Sequence, residues 1–210
     1  QSYPPTSVKY PGMTFKTNAN GTVNIANAIA RFQPKCRLMF CSTSEVYGVV
    51  PRGEVKTNEK FPIQPINPYG VSKAAADSYV RERTKSCQLK FFVARAFSHT
   101  GPRRGHISSI SSDTYQIVGI LKGYQKKRVV MDVMKNFETG EPYNLGGDDL
   151  YSMGELLDKM LDMKNLKGKV EIYRDLKLVR PIDIPVQICD SSKCKKLTGW
   201  KPEIPVEKSL

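Results

Sequence analysis

Residues 36–44 read CRLMFCSTS: an apolar centre that gives way to small hydroxyl-bearing side chains. A short apolar run without polar alternation is the pattern of a strand buried on both faces, as in a parallel sheet. Its polar end then marks the carboxyl end of the strand, where the chain opens into a loop. Upstream, TFKTNANGTVNIANAIARF (14–32) carries apolar residues at helical spacing, with Gly21 inside the helix. Downstream, GVVPRGEVKTNEKFPIQPI (48–66) is rich in Pro and Gly and reads as a loop. NPYGVSKAAAD (67–77) then starts a second helix, with Asn67 as N-cap and Pro68 at the first helical position. That helix is expected to run to about Lys85. LKFFVARAF (89–97) is the next buried strand. Helix, strand, loop, helix and strand in this order predict an α/β fold with a Rossmann-like parallel sheet.

The second half is more mixed. SSISSDTYQIVGILKGY (108–124) reads as a helix and EPYNLGG (141–147) as a short strand ending in glycines. Ser152 and Glu155 have the spacing of a capping box ahead of an amphipathic helix. KVEIYRD (169–175) reads as a strand, and SSKCKKLTGW (191–200) as a short helix stopped by Gly199. By resemblance to a known enzyme family, residues 1–97 are expected to form the later half of a dinucleotide-binding domain that includes the second helix. Residues 98–210 are expected to form mainly a smaller C-terminal α/β substrate domain, with 128–147 returning to the sheet.

Composition narrows the function. The chain has 210 residues, 40% hydrophobic and 25% charged, which is ordinary for a globular protein. No apolar run approaches the roughly 20 residues of a membrane span. The first residues, QSYPPTSVKYPG, lack the basic and apolar regions of a secretory signal and do not begin with Met. Five cysteines, at 36, 41, 87, 189 and 194, are an odd number in a chain too large to need staples. Reduced thiols and a cytoplasmic protein are therefore expected. Cys189 and Cys194 are wrongly spaced for a zinc knuckle and only His99 and His106 could assist, so no metal is expected. The net charge is +13, but the basic residues are spread along the chain; KGYQKKR (122–128) is the densest run. Such a surface suits a small anionic ligand, and no nucleic-acid partner is expected.

Four side chains carry the chemistry. Tyr69 and Lys73, four apart, share one helix face. A phenol titrates near pH 10, and an adjacent ammonium lowers that value by favouring the phenolate. STSEVYG (42–48) follows the first strand directly, at the sheet edge where ligands of open α/β sheets bind. Thr43 and Glu45 are two apart, so in extended chain they point the same way. A hydroxyl, a carboxylate, a phenol and an ammonium converging on one spot suit proton movement around a carbonyl or alcohol.

These stretches, in this order, resemble the extended short-chain dehydrogenase/reductase family in its nucleotide-sugar branch. TFKTNANGTVNIANA resembles the family's T-x-x-x-N-x-x-G-T-x-N helix, STSEVYG its T-x-E turn, and NPYGVSKAAAD its catalytic helix. FSHTGPRRG (97–105), EPYNLGG, RPIDIP (180–185) and DSSKCKKLTGWKPEIPVEKSL (190–210) follow in family order. STSEVYG and PRRG resemble GDP-mannose 4,6-dehydratases; HTGP, YGVSK and IPVEKSL resemble the 4-keto-6-deoxymannose reductases. Both groups usually have Asn where Ser98 stands.

The resemblance implies NADP or NAD as cofactor and a nucleotide sugar as substrate, with a homodimer or homotetramer as the assembly. It implies Thr43, Glu45, Tyr69 and Lys73 as catalytic residues. It places Tyr69, Lys73, Cys41, Ser42 and Arg104 near the cofactor. Ser2, Thr43, Ser44, Ser98, Arg103, Arg180 and Asp183 fall near the substrate, with Arg180 as a diphosphate clamp. Asn18 is placed behind the catalytic helix. The implied reaction is dehydration of GDP-mannose to its 4-keto-6-deoxy product with internal hydride recycling. A 4-keto reductase or 4-epimerase is the alternative, and a truncated, non-catalytic nucleotide-sugar-binding remnant is the second. The family's glycine-rich phosphate turn does not occur in these residues. The expectation is that the sequence omits pieces at its start and near 127/128 and 133/134, to be checked by Cα spacing there.

Overall fold

The computed structural model describes residues 1–50, 56–98, 140–169, 172, 184, 186–202 and 206. The helix expected over 108–124, nearly all of the strand expected over 169–175, and the junctions at 127/128 and 133/134 lie outside them. The chain forms two compact units. One takes Gln1–Ser98, Met131–Gly147 and Arg180–Lys201; the other takes His99–Val130, Asp148–Val179 and Pro202–Leu210.

The first unit begins with α1 (Pro4–Lys9) and α2 (Pro11–Phe15). A π-helical turn, Lys16–Asn20, joins α2 to α3 (Gly21–Phe32) and turns Asn18 and Ala19 inward. The single helix expected over 14–32 therefore changes pitch at its centre. β1 (Arg37–Thr43) leads into a 3₁₀ turn at Ser44–Tyr47, and α4 (Pro68–Cys87) precedes β2 (Lys90–Ala96). β3 (Pro142–Leu145) completes the sheet among the described residues. In the second unit, α5 (Met153–Met163) carries the expected capping box. Ser152 N–H donates to Glu155 Oε2 at 2.6 Å and Glu155 N–H to Ser152 Oγ at 3.2 Å. α5 gathers Leu157, Met160, Leu161 and Leu166 into a small core of its own. Back in the first unit, α6 (Ser192–Thr198) ends at Gly199, whose φ of 68° is the left-handed stop that glycine adopts without strain.

The strands are parallel in the order β1-β2-β3, with Thr43 paired to Ala96 and Ala96 to Leu145. All three carboxyl ends thus lie along one edge. β2 has five consecutive buried residues, Phe91 to Arg95, as expected for a central parallel strand. β1 is less enclosed than expected. Cys41 is exposed and Leu38 and Met39 are half-buried, because among the described strands β1 pairs on one side only. One face of the sheet is covered by α3 and α4 through Ala26, Phe40, Ala76, Val80, Phe91 and Val93. The other packs Phe92 and Tyr143 against Cys194 and Trp200. All five cysteines are free. Among the described residues no helix is long and apolar enough to cross a membrane, and no His/Cys/Asp/Glu group could hold a metal.

A polar network runs through this packing. Arg95 on β2 binds Asp77 on α4 in bidentate fashion, Nε to Oδ2 at 2.8 Å and Nη2 to Oδ1 at 3.0 Å. Ser42 of β1 donates to the same Oδ2 at 3.0 Å. Arg95 Nη1 donates to Tyr47 OH at 3.0 Å, and Tyr47 donates to Asn144 Oδ1 at 2.7 Å. Burial weakens the Arg95 charge, but the Asp77 hydrogen bonds and charge outweigh it and raise the guanidinium pKa. Removing one partner leaves the other charge buried and unmatched. Arg95→Met is therefore expected to lower stability by about 3–5 kcal/mol. Adding Asp77→Leu is expected to recover part of that loss, read from urea unfolding midpoints; additive losses would contradict the coupling.

Candidate active site

The site is assembled at the carboxyl edge of β1 by the start of α4. Thr43 is the last residue of β1 and caps the 3₁₀ turn, its Oγ1 accepting from Glu45 N–H at 3.3 Å. Glu45, half-buried, sits in that turn. α4 starts where the sequence places it: Asn67 is the N-cap, accepting from Gly70 N–H at 2.8 Å, and Pro68 needs no hydrogen bond there. Tyr69 follows, 8% exposed, with its phenol hydrogen-bonded to the Thr43 side chain. Lys73 lies one turn further along. Its Nζ donates to the Cys41 carbonyl at 2.9 Å and sits 5.1 Å over the Phe40 ring.

Gly70 makes the assembly possible. A Cβ there would lie 2.8 Å from the Glu45 carbonyl oxygen and 3.0 Å from Pro65 Cβ. Only glycine lets the first turn of α4 settle directly on the turn that carries Glu45. From behind, Asn18 Nδ2 donates to Ser72 Oγ at 3.0 Å, and Ser72 donates to the Tyr69 carbonyl at 2.7 Å. The π-helical turn thus supports the first turns of α4.

The structure brings Cys41, Thr43, Glu45, Tyr69 and Lys73 together. It commits two neighbouring hydroxyls elsewhere. Ser42 is buried against Asp77, and Ser44 donates to Gln187 Oε1 at 2.7 Å while Gln187 Nε2 returns a bond to the Ser44 carbonyl at 3.1 Å. Ser2 and Ser98 are exposed. Arg103, Arg104, Arg180 and Asp183 lie outside the described residues. Sequence reasoning did not find Gln187 or the Asp77–Arg95 pair. Asn67 was found as a cap, but its bond to Glu45 Oε2, donated from Nδ2 at 2.6 Å, carries no sequence signal.

The electrostatics differ from the sequence expectation. Burial raises the Tyr69 pKa, and the Glu45 and Cys41 charges add to it; the Thr43 hydrogen bond opposes but does not win. Lys73 does not reverse this. Its ammonium is turned to the Cys41 carbonyl, and burial lowers its own pKa. The phenol accordingly holds its proton at neutral pH.

The family profile described as GDP-mannose 4,6 dehydratase matches residues 1–136. The chain belongs to that family. The GDP-6-deoxy-D-mannose reductase of Pseudomonas aeruginosa is 27% identical to it, over 100% of this chain and 75% of the reductase. The GDP-mannose 4,6 dehydratase 1 of Arabidopsis thaliana is 24% identical, over 99% of this chain and 63% of the dehydratase. The family member described here thus spans about two thirds to three quarters of these relatives. The structure of RMD from Pseudomonas aeruginosa complexed with NADPH superposes with a TM-score of 0.81 at 26% identity, covering 100% of this chain and 75% of that one. The Rossmann-like reading of the fold therefore holds.

Two outcomes test the geometry. Gly70→Ala is expected to reduce activity well beyond its effect on the unfolding midpoint, since the clash is with the Glu45 backbone; equal effects on both would indicate a general packing defect. Folded Tyr69 binds its proton more tightly than an unfolded tyrosine, whose pKa is about 10. Its contribution to stability is then fully present below pH 10 and is lost as pH rises through the folded value. Wild type should therefore lose stability more steeply than Tyr69→Phe above pH 10, measured by chemical unfolding at stepped pH.

Proposed function

We propose that the chain carries the catalytic centre of an NADP- or NAD-dependent nucleotide-sugar 4,6-dehydratase acting on a GDP-hexose. The carrying observation is Glu45: its carboxylate is held by Asn67 Nδ2, its backbone N–H donates to Thr43 Oγ1, and its charge acts on the Tyr69 phenol. Moving hydride at C4 needs one proton-transfer group. Eliminating water across C5 and C6 needs a second, and Glu45 supplies it.

The donor set also suits the cofactor. An amine and a phenol at the carboxyl edge of a parallel sheet are the groups that would hold a nicotinamide ribose, and RMD, 26% identical, is complexed with NADPH. A bound nicotinamide would supply reversible hydride transfer, and Tyr69 and Lys73 are the residues that would hold its ribose. Tyr69, as the phenolate that the positive charge of Lys73 and of an oxidised nicotinamide would favour, would accept the C4 hydroxyl proton, and Thr43 would hydrogen-bond the C4 oxygen. With C4 a ketone, the C5 proton is acidic. Glu45 removes it and delivers it to the departing C6 hydroxyl, which leaves as water; once hydride has returned to C6, a solvent proton adds at C5, balancing the proton that Tyr69 took from O4. Lys73, once its amine meets ribose hydroxyls, adds positive charge beside the phenol.

A second reading has its own support. A phenol that keeps its proton is suited to donating it to a C4 ketone, as in a GDP-6-deoxy-D-mannose reductase, the relative matched over the whole chain. In that reaction Glu45 has no required task.

Incubating the full chain with GDP-mannose and substoichiometric NADP in D2O separates the two. A dehydratase is expected to form a 4-keto-6-deoxy sugar with deuterium at C5 and no net cofactor consumption. Glu45→Gln should then lower the rate by roughly 100-fold or more. NADPH oxidation on the 4-keto sugar, unaffected by Glu45→Gln, would instead establish the reductase.

A further inference from the structure

The Asn67 side chain joins two groups that the chemistry needs at one place. Its Oδ1 accepts from Gly70 N–H at 2.8 Å, and its backbone carbonyl accepts from Val71 N–H at 2.9 Å. Both bonds hold the first turn of α4. Because Oδ1 faces a backbone donor, the amide orientation is settled, and Nδ2 must face the other way. There it donates to Glu45 Oε2 at 2.6 Å. Asn67 is 8% exposed and Glu45 half-buried, so this bond is partly shielded from water, and a hydrogen bond to a carboxylate is among the stronger ones.

We infer that Asn67 is a positioning residue: it ties the start of the Tyr69 helix to the Glu45 carboxylate, fixing where that carboxylate points and favouring its ionised form. The inference rests on the reading of Glu45 as the C5 base. It goes beyond helix capping, because Asp and Ser cap as well as Asn but do not reproduce this link. Asp presents a second carboxylate to Glu45. Ser keeps an acceptor for Gly70 but lacks the reach and the amide donor. Gly70 adds the backbone half of the same joint, since its missing Cβ admits the Glu45 carbonyl. The titratable group facing Glu45 from α4 is Tyr69, whose phenol feels the Glu45 charge; Lys73 is turned to the Cys41 carbonyl.

The experiment compares wild type, Asn67→Ser and Asn67→Asp, with Glu45→Gln to assign the signal. The Glu45 carboxyl is titrated by ¹³C NMR in the protein without substrate, and unfolding midpoints are recorded alongside. Loss of the donor, or a like charge in its place, should raise the Glu45 titration midpoint by about one pH unit. Stability should change little in Asn67→Ser, which keeps the cap. The acidic limb of the C5 deuterium-exchange profile should move up with the titration, with a kcat loss of about tenfold and little change in KM. Unchanged Glu45 titration in both variants would overturn the inference. So would a rate loss that merely tracks loss of stability. If wild type shows no C5 exchange, or Glu45→Gln leaves it intact, the dehydratase reading fails instead, while the titration still decides whether Asn67 controls Glu45.

Discussion

Two charges, Asp77 and Arg95, lie at the centre of the first unit with side-chain exposures of 0% and 1%. Desolvating them costs several kcal/mol per ion, and attraction alone offsets this only when every remaining donor and acceptor is matched. Here they are matched: Ser42 completes Asp77, and Tyr47 completes Arg95 and passes the network to Asn144. Asn144 Nδ2 in turn donates to the Thr57 carbonyl at 2.9 Å. Three strands, one helix and two loops are held to one another by directional bonds. Apolar packing alone would hold them less specifically, since hydrophobic contact has no preferred direction.

The consequence is positional. Asp77 lies two turns along α4 from Tyr69, and Ser42 immediately precedes Thr43. Anchoring Asp77 to Ser42 and Arg95 therefore sets the depth of α4 relative to the end of β1. Gly70 and Asn67 then set its first turn against Glu45. The candidate site lies at the end of this hydrogen-bonded joint, where Thr43 and Tyr69 are buried and Glu45 is half-buried.

The electrostatic state of the site shows how context outranks pattern. Tyr69 and Lys73 at four-residue spacing suggest a phenol acidified by its neighbour. Burial raises the Tyr69 pKa and lowers that of Lys73, while the ammonium is directed to a strand carbonyl. Both shifts disfavour charge, as desolvation does. Helical spacing gives a shared face; it does not say where a flexible four-carbon chain ends.

Local patterns made much of the fold legible. The apolar runs at 38–40 and 91–94, the Asn67–Pro68 start, the Ser152–Glu155 box and the Gly199 stop each act within a few residues, so the sequence by itself determined them. Family order likewise brought Thr43, Glu45, Tyr69 and Lys73 to one edge. The change of pitch at Lys16–Asn20, the partial exposure of β1, and the commitment of Ser42 to Asp77 and Ser44 to Gln187 were decided only by the tertiary structure. Ser44 and Gln187 are 143 residues apart, and Asn67 and Glu45 are 22 apart. No periodicity links such pairs. A polar side chain on a strand end can face ligand or core equally well in sequence, and only the partners that packing brings within about 3 Å choose between them.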